Sequence, residues 1–251
     1  MKKRLISSIL FLTVFCTSAM SCHANTNEYN WYTKRTNDHT RPALDLQFAF
    51  IEKYNAIYVD HHASKNLYLT FDVGYENGNT EKILDILKEE KVHGAFFVLS
   101  HFVTQNKDLV VRMQNEGHLV CNHTAKHKNM TKLNKEDFVS ELHAMENLVN
   151  QLTGIPIAKF YRPPQGTFNE ENLIWANELG YRTVFWSLCY ADWDNAKQPS
   201  PAYAKDLLLK YTHPGAIILL HPTSSTNAEI LQELIQSWKA EGYVFGHLTD
   251  I

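Results

Sequence analysis

The chain has little glycine, proline or cysteine and carries no block of like charge. Its 251 residues include 10 Gly, 8 Pro and 4 Cys, and 24 Lys plus Arg nearly balance 27 Asp plus Glu. These scarcities exclude collagen-like, low-complexity and disulfide-scaffold proteins. With 44% hydrophobic residues, the composition is typical of one large globular domain or two small ones. Histidine is the residue that stands out, at 13 copies.

A hydrophobic run long enough to span a bilayer is missing from the N-terminus. The apolar run at residues 5–14 is well short of the roughly 18 residues that a span needs. Basic residues 2–4 precede it and small residues lead to Ala24, the layout of a secretory signal peptide. We expect cleavage after residue 24 and a secreted or cell-envelope protein. Residues 19–22 (Ala-Met-Ser-Cys) imperfectly resemble a lipoprotein cleavage box, so lipidation with membrane contact is the alternative.

Loss of the leader changes both the charge and the cysteine count. It removes three positive charges and no acid, so the net charge moves from −3 to about −6, which argues against nucleic acid as a partner. Only Cys121 and Cys189 then remain, in a compartment that permits disulfides. Two free thiols are the expected state and a disulfide is the alternative, because sequence gives no Cα separation.

The mature chain divides into an extension without a readable motif, residues 25–66, and a domain at 67–251 in which strand and helix patterns alternate. The predicted strands are 67–72, 95–100, 118–122, 159–161, 183–188, 216–221 and 243–248. The predicted helices are 80–90, 105–115, 134–152, 169–179, 201–211 and 227–241. This alternation favours parallel βαβ units and predicts an α/β fold, an incomplete, seven-stranded β/α barrel.

Polar clusters follow five of these strands, where catalytic groups of such barrels lie. They are Asp72; His123 with His127; Arg162 with Gln165; Asp192 with Trp193; and His221. Because the carboxyl ends of parallel strands share one rim, we expect these side chains to meet there.

The residue types at this rim suit acid and base chemistry. Asp72 ends an apolar strand, where a carboxylate is costly unless paired, and Arg162 is the natural partner that keeps it ionised as a base. A structural ion pair is the alternative. His221 suits a proton donor near neutral pH, and Asp192 suits the acid that fixes its tautomer and raises its pKa. A histidine that merely caps the barrel rim is the alternative there.

Two further features point to a ligand. His123 and His127 are four residues apart, so on a helical turn both rings can share a metal ion. Two solvated histidines are the alternative, since such spacing arises often by chance. Trp193 and Leu219 can wall a small apolar pocket, although both residue types are more often found in cores.

The five clusters, in this order, resemble the motifs of the polysaccharide deacetylases, also called the NodB-homology or carbohydrate esterase family four domain. Segments 68–78 (YLTFDVGYENG), 162–166 (RPPQG) and 183–187 (TVFWS) look most like one branch, the muramic-acid de-N-acetylases that form δ-lactam in spore cortex. The resemblance covers residues 67–248. It implies a distorted seven-stranded β/α barrel and metal-assisted hydrolysis of an N-acetyl group on a peptidoglycan glycan strand.

The resemblance also implies a role for each residue at the rim. It makes Asp72 the general base, His221 the general acid, Arg162 and Asp192 their orienting partners, His123 and His127 the metal ligands, Gln165 the backbone oxyanion donor, and Trp193 and Leu219 the acetate-pocket walls. A divalent metal, zinc by expectation, is the implied cofactor.

One position departs from the family pattern. Family members that bind metal well have a second aspartate directly after the catalytic one, and here that third ligand position is Val73. A hydrocarbon cannot coordinate, so the expectation is a weakly held ion, a substitute ligand such as Glu76, or a reaction less dependent on metal. Two alternatives to a muramic-acid deacetylase follow: an N-acetylglucosamine deacetylase, and a glycan-binding module that has lost catalysis. We expect a monomer.

Overall fold

The computed structural model describes residues 27–62 and 65–251; the predicted leader, 1–24, lies outside the described residues. The strands are β1 (Tyr29–Asn30), β2 (Asn66–Val73), β3 (Gly94–Val98), β4 (Leu119–Asn122), β5 (Ala158–Tyr161), β6 (Thr167–Phe168), β7 (Arg182–Thr183), β8 (Ala216–Leu220) and β9 (Val244–Phe245). The α-helices are α1 (Asn79–Glu90), α2 (Ser100–Gln105), α3 (Lys107–Asn115), α4 (Lys135–Thr153), α5 (Glu170–Glu178), α6 (Pro201–Tyr211) and α7 (Ser225–Ala240). Segments of 3₁₀ helix are Leu46–Tyr54, Met130–Lys132, Pro164–Gly166 and Leu248–Asp250.

A curled parallel sheet organises the domain. β2 lies between β3 and β8, and β4, β5 and β7 continue outward from β3, while β9 pairs with the start of β2. β8 is buried along its whole length, as its continuous apolar sequence predicts for a strand covered on both faces. The predicted α/β fold, an incomplete β/α barrel, is confirmed.

The helices form where the apolar period predicts, with one correction. In α1, Ile83, Leu84 and Leu87 are fully buried, which is the predicted inner stripe. The strand predicted to reach residue 100 ends at Val98, and a short helix, α2, precedes α3 in place of a single helix at 105–115.

The two sides of the curled sheet approach each other along an irregular seam. Only the start of the strand predicted at 183–188 is regular, as β7. The rest still bonds to β8: the Ser187 N–H donates to the Ile217 carbonyl at 3.0 Å, and the Leu219 N–H to the Leu188 carbonyl at 2.9 Å. This segment therefore links the last strands of the sheet without itself forming a regular strand.

Residues 57–60 of the predicted extension insert at the other end of this seam. The Ile57 N–H donates to the Thr183 carbonyl and the Asp60 N–H to the Gly215 carbonyl, both at 2.9 Å. Gly215 has a φ of +80°, and a Cβ there would lie 2.1 Å from the Asp60 carbonyl oxygen. Only glycine permits so close an approach in that conformation.

The rest of the extension packs through aromatic side chains. β1 pairs antiparallel with β6, and Trp31 stacks on Phe185 with ring centroids 4.3 Å apart. Trp31 also contacts Phe48 and Tyr58. Such aromatic packing buries large apolar area at low conformational cost, so it fixes the extension to the seam.

Two other expectations bear on the described residues. Cys121 is buried and Cys189 half-buried, and both are free thiols. No helix within 27–62 or 65–251 is long and apolar enough to cross a membrane.

Candidate active site

A cavity of about 970 Å³ opens at the carboxyl ends of the parallel strands. Asp72 lies near the end of β2, His123 directly follows β4, and His221 directly follows β8. The structure brings these three together in the cavity wall with four other predicted residues: His127, Gln165, Trp193 and Leu219. Arg162 and Asp192 do not line the cavity, but each bonds to a residue that does.

Asp72 is held as a carboxylate by a buried arginine. Arg162 Nη1 donates to Asp72 Oδ1 at 2.8 Å, and Arg162 is 0% exposed. Burial opposes ionisation of Asp72, but the Arg162 charge and hydrogen bond outweigh it and hold the pKa of Asp72 below its usual value. The carboxylate is thus charged and free of a proton at neutral pH.

The arginine itself has a fixed orientation. Its Nη2 donates to Thr70 Oγ1 at 2.9 Å and its Nε to the Val184 carbonyl at 3.0 Å. The guanidinium also lies over the Phe97 ring, 4.2 Å from its centroid. With its donors bonded and one face on an aromatic ring, Arg162 presents Asp72 in one geometry.

His221 forms a second carboxylate pair, with the opposite effect on charge. Its Nδ1 lies 2.7 Å from Asp192 Oδ1, so Nδ1 carries the proton that Asp192 accepts, and Nε2 remains for a ligand. Burial opposes protonation of His221, but the hydrogen bond and charge of Asp192 outweigh it and raise the pKa of His221. The imidazole is therefore tuned toward its protonated form.

Asp192 is fixed by a residue that sequence reasoning missed. The second oxygen of this fully buried carboxylate accepts from the His221 backbone N–H at 2.8 Å and from Asn227 Nδ2 at 2.6 Å. Asn227 also donates to the His221 carbonyl at 3.1 Å. Asn227 lies in the first turn of α7 and has no partner nearby in sequence, so only the fold reveals this contact.

The two metal-ligand candidates lie in a loop, and the helical turn predicted for them is wrong. Thr124 and His127 both have positive φ, at 72° and 53°. Asn122 Oδ1 accepts from the Thr124 N–H at 2.9 Å, and the His127 N–H donates to Thr124 Oγ1 at 3.0 Å. These bonds hold a backbone that is unusual for a β-branched residue. The rings of His123 and His127 come to 5.1 Å between centroids.

Both imidazoles are chemically suited to a divalent ion. His123 Nδ1 lies 2.9 Å from the Arg162 carbonyl and donates to it, which leaves the Nε2 lone pair 3.6 Å from Asp72 Oδ2. Burial lowers the pKa of His123 to about 4 and also lowers that of His127. Both are neutral at pH 7, the form that binds metal.

A third protein ligand is not provided. Val73 is 0% exposed and belongs to the hydrophobic core. Glu76 does not line the cavity; its Oε1 accepts from the Gly78 N–H at the start of α1. No group of three or more His, Cys, Asp or Glu within 27–62 and 65–251 is arranged to hold a metal. The donors fit a divalent ion held by two histidines and completed by water or substrate.

The remaining predicted residues shape the cavity wall. Gln165 lies in the Pro164–Gly166 turn with a φ of 59°, and the next residue must be glycine, because a Cβ at Gly166 would lie 2.8 Å from the Trp186 ring. Leu219 is buried in β8, whereas Trp193 is 61% exposed and contacts His221 edge to face at 6.4 Å. Trp193 therefore forms part of the cavity rim.

The extension supplies part of the wall that the sequence did not reveal. Trp31, Tyr32, Thr33 and Arg35 all line the cavity. Trp31 Nε1 donates to the Trp186 carbonyl at 2.9 Å, a contact across 155 positions of chain. Short polar and aromatic segments with weak periodicity carry no signal for such a contact.

A charge-stabilised carboxylate and an acid-oriented imidazole that face one cavity define a hydrolytic enzyme class. Residues 60–184 match the model of the polysaccharide deacetylase family. The peptidoglycan-N-acetylmuramic acid deacetylase PdaA of Bacillus subtilis is 42% identical over 88% of this chain and 85% of its own length. The solved structure of Bacillus subtilis PdaA, a family 4 carbohydrate esterase, gives a TM-score of 0.87 at 41% identity, covering 90% of this chain and 97% of that one.

A relative with a different stated substrate is also similar. The peptidoglycan-N-acetylglucosamine deacetylase of Bacillus cereus is 33% identical over 79% of this chain and 72% of its own length. The chain belongs to the polysaccharide deacetylase family, and the prediction of a hydrolase acting on an amide bond is confirmed. Deacetylases of this family are metal-dependent, in keeping with the two neutral histidines.

Proposed function

We propose that the protein removes the N-acetyl group of N-acetylmuramic acid in peptidoglycan glycan strands outside the cytoplasm. The observation that carries the proposal is the pair of oppositely tuned groups, Asp72 and His221, in the wall of one cavity. The muramic-acid assignment is supported by the greater identity to Bacillus subtilis PdaA than to the Bacillus cereus glucosamine deacetylase. N-Acetylglucosamine is the second candidate substrate.

In this mechanism Asp72 is the general base. Its pKa, lowered by Arg162, keeps it ionised, and it accepts a proton from a water molecule that attacks the acetyl carbonyl. The backbone N–H of Gln165 stabilises the negative charge on the carbonyl oxygen. A divalent ion bound by His123 and His127, zinc being our choice, supplies Lewis acidity for the same step.

His221 completes the reaction as the general acid. Protonated through its pairing with Asp192, it donates a proton to the sugar nitrogen as the carbon–nitrogen bond breaks. Acetate and a free amine are the products. Leu219 and Trp193 flank the acetyl methyl group in this arrangement. On a muramic residue that lacks its peptide stem, the freed amine can close on the lactyl carboxyl as a δ-lactam, the chemistry of spore cortex.

Mass analysis of digested, stem-free peptidoglycan tests the proposal. We expect acetate release and muramic δ-lactam with the native protein, loss of both with chelator, and recovery on added zinc. Free glucosamine without lactam would favour the second candidate. Released acetate also separates an enzyme from a pure glycan-binding module.

The variant Asp72→Asn provides the inactive reference for this test. We expect a loss of about 10²- to 10⁴-fold in rate, the effect of removing a general base. Asp108→Asn is the matched control, since it removes the same charge at an exposed site on α3. Undiminished deacetylation by Asp72→Asn would contradict the proposed base.

A further inference from the structure

The N-terminal segment that borders the cavity is extended, and its side chains alternate between two surroundings. Trp31, Thr33 and Arg35 each donate to a carbonyl of the seam segment, those of residues 186, 187 and 189, at 2.9, 3.2 and 2.8 Å. Tyr32 and Lys34 both bond to Asp45, at 2.7 and 3.0 Å. This alternation is that of a strand and sends residues 31, 33 and 35 toward the cavity wall.

Arg35 is the one Arg or Lys among the described residues that line the cavity. Its Nη2 donates to the Cys189 carbonyl, and its guanidinium lies 5.2 Å from the centroid of the Tyr211 ring. These contacts hold the guanidinium in place while using few of its five N–H donors.

No carboxylate within the described residues pairs with Arg35, since none of their ion pairs at 4.0 Å or less includes it. Its neighbour Lys34 differs in both respects, because it pairs with Asp45 and does not line the cavity. An anchored, exposed guanidinium without an internal counter-ion is suited to bind a carboxylate of a ligand.

The proposed substrate carries such a carboxylate. N-Acetylmuramic acid differs from N-acetylglucosamine by a lactyl ether on the carbon that neighbours the one bearing the acetamide. A sugar whose acetamide lies between Asp72 and His221 thus has its lactyl carboxylate in the same cavity. The negative charge of Asp72 disfavours that carboxylate unless a cation offsets it.

We propose that Arg35 binds the lactyl carboxylate and is the residue that selects muramic acid over glucosamine. This inference rests on the proposed function. It assigns substrate choice to the extension and leaves the chemistry to the rim of the barrel.

The experiment compares two forms of one substrate: a stem-free peptidoglycan oligosaccharide and the same oligosaccharide with its lactyl carboxyls methyl-esterified. We expect Arg35→Ala to lower kcat/KM on the free acid by about 10- to 100-fold, as loss of a charged hydrogen-bonded contact predicts. The variant should leave the already reduced kcat/KM on the ester unchanged. Arg35→Lys, which keeps the charge and loses the planar fork, should fall between.

Lys34→Ala is the matched control, since it removes the same charge from the adjacent residue and should change kcat/KM by less than about twofold. Equal losses of Arg35→Ala on acid and ester would overturn the proposal, because they indicate a structural role. Full activity of Arg35→Ala on the free acid would overturn it too. If the native protein releases no acetate from either form, the proposed function itself has failed, which is a distinguishable outcome.

Discussion

The same dipeptide, His-Pro, stands at both ends of β8, and the two histidines differ in charge. His213 precedes the strand and His221 follows it, and both are largely removed from solvent. Burial lowers the pKa of His213 to about 4, whereas the pairing of His221 with Asp192 raises its pKa despite burial. The difference teaches that a carboxylate, not burial, makes a histidine of this barrel a proton donor.

The position of that carboxylate follows from the fold. Asp192 lies in the long connection from β7 to α6, on the side of the sheet where the strands end. No carboxylate of the described residues lies within ion-pairing distance of His213, at the opposite side. In this kind of barrel, residues at the carboxyl ends of strands serve chemistry and those at the other end serve stability.

The largest expected effect breaks the comparison at its active end. His221→Ala should lower the rate of acetate release by about 10²- to 10⁴-fold, because the departing nitrogen loses its acid. His213→Ala is the counterpart at the other end, and its folded fraction should keep the native kcat. Comparable losses of kcat in both variants, measured with the amount of folded protein determined by circular dichroism, would contradict the distinction.

A smaller effect concerns stability and the other histidine. Because the pKa of folded His213 is about 4, below the ordinary 6.5, the unfolded chain binds the proton more readily. Its stabilising contribution is therefore complete above about pH 6.5 and is lost as the pH falls toward 4. The free energy of unfolding should fall from pH 7 to pH 5 by about 1–2 kcal/mol more in the native protein than in His213→Gln. Urea unfolding at both values measures this, and equal falls would refute it.

The smallest effect sharpens the comparison by removing only the carboxylate. Asp192→Asn should lower the pKa of His221, so the alkaline fall of kcat/KM moves to lower pH and the rate at neutral pH drops about 10-fold. Asp194→Asn removes the same charge from the same loop at an exposed position and should leave the pH profile unchanged. An unshifted alkaline limb in Asp192→Asn would argue against acid tuning by Asp192.

Much of the barrel could be predicted from the sequence. Strands such as β8 are continuous apolar runs and helices such as α1 have a clear apolar stripe, so local patterns suffice. The seam could not be predicted, because residues 184–188 bond partly to Ile57 and partly to β8. Only the fold brings Ile57 to that place.

The candidate site was predictable to the extent that it follows strand ends. Asp72, His123 and His221 are each next to a predicted strand, and parallel topology then requires them to lie at one rim. Residues that act from a distance gave no signal. Arg35 and Asn227 reach the site through contacts that depend on the packing of the extension and of α7.

The sequence also misjudged how His123 and His127 meet. A spacing of four suggests a helical turn, but two left-handed residues held by Asn122 and Thr124 bring the rings together. Spacing alone cannot distinguish a helical turn from such a loop, since both leave the same residues close in sequence.

The dependence of kcat/KM for acetate release on pH tests the central claim most directly. The account predicts a bell-shaped profile that falls on the acid side as Asp72 takes up a proton below the usual carboxyl range, and on the alkaline side as His221 loses its proton above pH 6.5. A rate that rises with pH through this alkaline region, or a profile without an alkaline fall, would contradict His221 as the proton donor.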